Sequence, residues 1–278
     1  MLVNGMPYAK EAKSVTYSFI AKEDINFDVR VLAPDEMEAA VFDLKPGERL
    51  WDPNNTALQA ERRDALRPKV VVTGSIDYTD FGLFRDKKAW STVVSLDLSG
   101  ATIVADRSNP TGYPANQFPA NAFCPSSAPS YDIKLKDLKF PLTVTSIGAS
   151  ALYGCSRITE LELPMNLKNF EGIDWLSYEG GLKKNCFIGC TSLTTLYVSC
   201  VPKSGKVHHI DTKHMANTTA NCNTLGLDDC KKVTVVVNPA YLSVYKTRHD
   251  GADSDDWRNL WAYNGFNIVG EYPVYGIN

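Results

Sequence analysis

Val144-Thr-Ser-Ile-Gly-Ala-Ser-Ala-Leu-Tyr-Gly-Cys-Ser-Arg-Ile-Thr-Glu-Leu-Glu-Leu163, followed by Pro164, changes its apolar period part-way along. Ile147, Ala151 and Leu152 are spaced like a compact turn, whereas Leu161 and Leu163 alternate like a β-strand. This turn-then-strand unit has copies. Cys155 leads to Ile158, Leu161 and Leu163, and Cys190 leads to Leu193, Leu196 and Val198 with the same spacing. Upstream, Leu135, Leu138 and Phe140 keep that spacing and share a following proline, Pro141, while Val93, Leu96 and Leu98 end in Ser99-Gly100. Downstream, Cys230 leads to Val233, Val235 and Val237 with one residue fewer. The strand anchors are therefore Leu96, Leu138, Leu161, Leu196 and Val235. Leu138 and Leu161 are 23 residues apart; the other gaps, 42, 35 and 39 residues, hold insertions. A unit this short cannot bury its apolar face alone, so the spacing predicts units stacked over one continuous core.

Ser146-Ile147-Gly148, Ala151-Leu152, Gly154-Cys155-Ser156, Ile158, Leu161 and Leu163-Pro164 together resemble the BspA-type leucine-rich repeat of secreted and cell-surface bacterial proteins. Val70 to Gly74, continuing through Asp80 to Val94–Gly100, resembles that family's opening repeat. Asn238-Pro239, Tyr245, Trp257 and Ile268 resemble its closing repeat and cap. The likeness covers roughly residues 70–270. It implies a leucine-rich-repeat solenoid, α/β and horseshoe-like, with a parallel β-sheet on its concave face. It also implies a non-enzymatic binding or adhesion module, secreted or at the cell surface, whose partner is an extracellular protein or glycan.

The first 69 residues lie outside the likeness and are expected to form a small β-rich N-terminal domain or a cap on the first repeat. Residues 70–278 then hold the repeats, their insertions and a C-terminal cap. Residues 1–14 read as a tether. Val15, Tyr17 and Phe19, then Ile25, Phe27, Val29 and Val31, alternate around a charged turn and predict a hairpin. Residues 39–44 add a strand, and residues 57–66 predict a helix stopped ahead of Pro68. Five prolines between Ile103 and Ile133 force that segment out of the stack, although Ala122-Phe123 can anchor one turn as Ala151-Leu152 does. Further insertions run over 171–185, with Trp175 and Tyr178, and over 202–223, with three of the four histidines. After Pro239, Tyr241, Val244 and Tyr245 share one face of a short helix, and Trp257, Leu260 and Trp261 are expected to close the far end.

Composition narrows the function. A net charge of −3 and a pI near 5.8 give no basic footprint for a phosphate backbone, so nucleic acid is not expected as a partner. No apolar run approaches the roughly 18 residues of a membrane-spanning helix. The N-terminus lacks a charged start followed by an apolar segment, which leaves a cytosolic protein or an exported one whose signal has been removed, and the resemblance favours the second. Nucleophile-elbow, phosphate-loop, dinucleotide and zinc-protease motifs are missing, and no cofactor is implied.

Candidate sites follow from strand geometry. Side chains alternate across a strand, so residues between the core anchors point outward. This gives one row of Asp97, Lys139, Glu162 and Tyr197, with Val236 continuing it, and a second of Ser95, Asp137, Glu160, Thr195 and Thr234. Asp97, Lys139, Glu160, Glu162, Thr195 and Tyr197 are the expected binding residues. The plainer reading is that Asp97, Lys139 and Glu162 alternate in sign so that cross-strand charges compensate. Glu160 and Glu162 resemble a glycosidase pair only superficially, because an open strand lacks the pocket that would separate their pKa values. No catalytic residue is expected.

Cys155, Cys190 and Cys230 repeat one position and read as small buried thiols. A zinc site from Cys186, Cys190, Cys222 and Cys230 would lack any paired Cys-x-x-Cys. His208, His209 and His214 beside Asp211 read as loop residues, as do Asp250, Asp253, Asp255 and Asp256, whose spacing departs from a calcium loop. No metal is expected. Two rivals to binding stay open: a polysaccharide or peptide hydrolase with its site between Trp175, Tyr178 and the 208–214 loop, and a structural spacer presenting another domain.

Overall fold

The computed structural model describes residues 38–271 except 107, 109–112, 124–131, 171–185, 188, 201–208, 212–231, 248–256 and 264, together with three short strand backbones near the N-terminus. Those are β1 (Leu2–Val3), β2 (Met6–Pro7) and β3 (Val29–Arg30), with β1 antiparallel to both of the others. The rest of the expected hairpin over 15–32, and the tether, lie outside the described residues. Next come β4 (Ala40–Asp43), α1 (Thr56–Ala65), β5 (Lys69–Ile76), α2 (Lys87–Thr92), β6 (Ser95–Asp97), β7 (Ala101–Ile103) and β8 (Gln117–Phe118). The repeats continue with β9 (Asp137–Lys139), β10 (Ser146–Ile147), β11 (Glu160–Leu163), β12 (Asn169–Phe170) and β13 (Thr195–Val198). Then follow β14 (His209–Asp211), β15 (Thr234–Val237), α3 (Leu242–Lys246), β16 (Trp257–Asn259), α4 (Leu260–Tyr263) and β17 (Asn267–Gly270).

Each unit leaves one parallel ladder, bends, and joins a second. The first ladder runs β4-β5-β6-β9 and then β11-β13-β15-β17, parallel within each of these two sheets, with β9 and β11 side by side but not hydrogen-bonded into one. The second joins the end of β5 to β7 and runs on as β8-β10-β12. Bonds outside the strands connect its two parts: Asn116 N–H donates to Ile103 O (2.9 Å), Thr145 N–H to Asn116 O (2.8 Å) and Lys168 N–H to Thr145 O (2.8 Å).

The predicted anchors meet in register. Val70 pairs with Leu96 and Leu96 with Leu138; Leu161 pairs with Leu196, Leu196 with Val235 and Val235 with Ile268. All seven are buried. A repeated backbone device fixes this register. At the start of three strands one carbonyl of the preceding unit accepts two donors: Pro68 O from Val94 and Ser95, Val94 O from Lys136 and Asp137, and Thr159 O from Thr194 and Thr195. Buried backbone groups are thereby satisfied one unit at a time.

Tight turns close the units on the third side. Asn121 (φ 52°) and Ser150 (φ 55°) hold equivalent left-handed positions, each followed by a small and a large buried residue, Ala122-Phe123 and Ala151-Leu152. The next unit repeats the pair as Cys186-Phe187. Gly154 (φ 75°) and Gly189 (φ 80°) stack in successive turns, and a Cβ on Gly189 would lie 3.1 Å from the Gly154 Cα. A left-handed backbone and a backbone neighbour that close both favour glycine.

Residues 40–66 lie in the same stack, since β4 is parallel to β5 with Ala40 opposite Val70. Asn55 caps α1 by accepting from Leu58 N–H (3.0 Å), and α1 is tied down by Arg63, which packs over Trp51 and pairs with Asp86 (2.8 Å). At the other end Tyr245 is buried and donates to Cys200 O (2.8 Å). Trp261 is fully buried against Phe170 and Phe266, with ring centroids at 6.1 and 5.4 Å. The backbone of β14 pairs antiparallel with that of β16, linking the 202–223 insertion to the C-terminal segment.

Candidate functional site

Alternation in the first ladder delivers the predicted outward rows. Glu160 sits opposite Thr195, and Thr195 opposite Thr234 and then Asn267; Glu162 sits opposite Tyr197; Ser95 opposite Asp137; Asp97 opposite Lys139. Asp137, Lys139, Glu160 and Glu162 are exposed, while Asp97, Thr195 and Tyr197 are half-buried. Val236 departs from the expectation. It lies in the Tyr197 row yet is buried, because Tyr197 and Val269 flank it in register on both sides.

Polar bonds knit the rows together. Lys139 Nζ lies 3.3 Å from Asp97 Oδ2, so the expected charge compensation holds for that pair. Asp97 also accepts from Ser99 N–H (2.9 Å) and Ser99 Oγ (2.6 Å). Burial pushes the Asp97 carboxyl up, but the Ser99 donors and the Lys139 charge outweigh it and hold the group below the usual carboxylate range. Glu162 does not join the alternation of signs and instead accepts from Ser199 Oγ (3.1 Å). The Tyr197 hydroxyl reaches diagonally to Glu160 Oε2 (3.3 Å). Asn267 donates to Thr234 Oγ1 (3.2 Å). Each exposed bond is worth little alone, but together they orient a face already fixed by its backbone.

Two residues of this region escape the alternation rule. Leu142 and Met165 follow the shared prolines Pro141 and Pro164 in consecutive units and are 61% and 49% exposed. Asn166 Nδ2 bonds to Leu142 O (2.9 Å) and fastens one turn to the next. Their legible signal was an apolar residue recurring just past the strand, where a period of two no longer assigns a face.

The described cysteines settle into the core. Cys155, Cys186, Cys190 and Cys200 are buried thiols. Cys186 Sγ lies 3.3 Å from Gly148 O, Cys190 Sγ 3.4 Å from Leu152 O and Cys200 Sγ 3.2 Å from Pro164 O, each carbonyl belonging to a neighbouring unit. Burial pushes the Cys190 and Cys200 thiols up to about 12. These four thiols are expected to react with Ellman's reagent only after unfolding, as mapped by mass spectrometry of labelled peptides. Prompt labelling of the native chain would place them outside the core.

No group of three His, Cys, Asp or Glu positioned for a metal occurs among the described residues. Cys222, Cys230, His208, His214, Trp175, Tyr178 and Asp250, Asp253, Asp255 and Asp256 lie outside them. His209 and Asp211 are described only as backbone, in β14.

A family model described as the BspA type leucine rich repeat region matches residues 125–234 in six copies. Over these residues the chain is similar to the BspA-type leucine-rich repeat. A comparison with curated proteins gives no match. The matched segment holds β9 to β14 and reaches the first residue of β15. β4, β5 and β6 lie outside the match but continue its parallel ladder on one side, as β17 does on the other. No helix among the described residues is long and apolar enough to cross a membrane.

Proposed function

We propose that this chain is a non-enzymatic binding or adhesion module, acting outside the cell or on its surface, which holds a macromolecular partner on the concave face of a leucine-rich-repeat solenoid. The contact residues in this reading are Asp97, Lys139, Glu160, Glu162, Thr195 and Tyr197. One observation carries it: within each of two neighbouring sheets the outward rows stand in register across parallel strands whose other face is a closed core. Side chains fixed in this way lose little freedom when a partner arrives, so binding is not spent on ordering them. The BspA-type match supports an interaction role, and with it a position at the surface or beyond.

The test is a binding screen of the purified chain against immobilised extracellular proteins and polysaccharides, with the Glu162→Ala/Tyr197→Ala variant alongside. Saturable binding is expected, weakened about tenfold or more in the variant, the equivalent of about 1.4 kcal/mol. Its melting temperature should stay near wild type, since both side chains point outward. Undiminished binding by the variant would move the site elsewhere and sink the concave-face reading.

A further inference from the structure

We infer that the partner is a protein segment carrying a lysine or arginine next to an apolar side chain, and not a glycan; this rests on the binding role proposed above. The outward residues of β6, β9 and β11 are Ser95, Asp97, Asp137, Lys139, Glu160 and Glu162, four carboxylates to one ammonium. That ammonium lies against Asp97. Asp137 and Glu162 are exposed and form no ion pair with any described residue; Glu162 has the Ser199 hydroxyl alone. Beyond them the face turns uncharged, with Thr195, Tyr197 and Thr234 outward, followed by Asn267. Negative charge is thus concentrated where the two sheets of the first ladder meet, with exposed carboxylates on the neighbouring strands β9 and β11.

A second feature narrows the partner. Leu142 and Met165 stand exposed on consecutive turns just past Lys139 and Glu162, and Val41 is the one other large apolar residue exposed among the described residues. Two exposed apolar side chains on neighbouring turns, each three residues past an outward charged residue, match the make-up of a basic residue next to an aliphatic one. A neutral glycan would leave Asp137 and Glu162 desolvated with no counter-charge, and an anionic one would be repelled.

The experiment uses the full chain and fluorescent synthetic peptides: one alternating lysine and leucine, one with glutamine for lysine and one with glutamate for lysine. Binding is followed by anisotropy at low and at physiological salt. Only the lysine peptide is expected to bind, and more weakly as salt rises. Asp137→Asn/Glu162→Gln should weaken it about tenfold, and Leu142→Ser/Met165→Ser several-fold. Glu61→Gln/Asp64→Asn removes the same charge from exposed positions on α1, away from these strands, and should leave binding unchanged. Equal weakening by that control pair would reduce the effect to bulk charge and overturn the inference. So would a glutamine peptide that binds as well as the lysine one. If a polysaccharide binds and is lost in Glu162→Ala/Tyr197→Ala while no lysine peptide binds, the concave-face role stands and this inference falls. If neither binds, both fall.

Discussion

Gly74→Ala is expected to cost about 2–5 kcal/mol of stability, most of it from one backbone contact. Gly74 sits where β5 leaves the first ladder and enters the second, with a φ of 86°. An alanine there meets two penalties. The left-handed backbone alone costs roughly 1–2 kcal/mol. In addition, the new Cβ would lie 2.2 Å from the carbonyl oxygen of Leu44, a backbone atom that cannot swing aside. Leu44 is tied to the same corner through its N–H bond to Thr73 O (3.1 Å), and Gly74 N–H bonds to Gly100 O (3.3 Å). Relieving the clash therefore shifts three units at once. Gly47 is the internal control: its φ is 88°, but nothing lies within 4 Å of its Cβ position. Gly47→Ala should show only the conformational part. Urea unfolding of both variants decides the matter, and equal losses would mean that the Leu44 contact is not as close as described.

Asp80→Ala should be at least as damaging, by about 3–5 kcal/mol. Asp80 is fully buried beside the first turn of the stack. Its Oδ1 accepts from Leu50 N–H and Trp51 N–H, both at 2.9 Å, and its Oδ2 from Asp77 N–H at 3.0 Å. Asp77 returns the bond by accepting from Asp80 N–H (3.2 Å) and holds Arg49 at 2.7 Å. Removing the carboxylate leaves three buried donors without an acceptor.

The loss should also depend on pH. Burial pushes the Asp80 carboxyl up, against the pull of the Trp51 and Asp77 N–H groups, so its folded pKa lies above the unfolded value of about 3.9. Between those two values the native state holds a proton that the unfolded chain has released, and stability from this group falls as pH rises through the folded value. Alanine has no such proton. The gap between wild type and variant should accordingly be widest below about pH 4 and narrow as pH rises from there. A gap that widens with pH would contradict the raised pKa.

The repeat core was legible because burial acts on periodicity directly. Leu96, Leu138, Leu161, Leu196 and Val235 could be aligned by spacing alone, and Leu96 meets Leu138, and Leu161, Leu196 and Val235 meet one another, where that spacing placed them. The outward rows followed at no further cost, since alternation is a property of the strand. Three features did not follow. Val236 obeys the alternation yet is covered by its lateral neighbours, which a single strand's pattern cannot show. Leu142 and Met165 stand past the strand ends, where no period assigns a side. Asp77 and Asp80 are charged residues at an interior position, and their buried reciprocal bonding depends on N–H groups some thirty residues away, at Leu50 and Trp51.

The alternation in β11 and β13 has a consequence for how such a chain can change over time. Leu161, Leu163, Leu196 and Val198 answer to the interior, while Glu160, Glu162, Thr195 and Tyr197 face outward. The two sets are interleaved in sequence but separated in space by the sheet itself. Selection for a new partner can therefore rewrite every second residue of these strands and leave the architecture that displays them untouched.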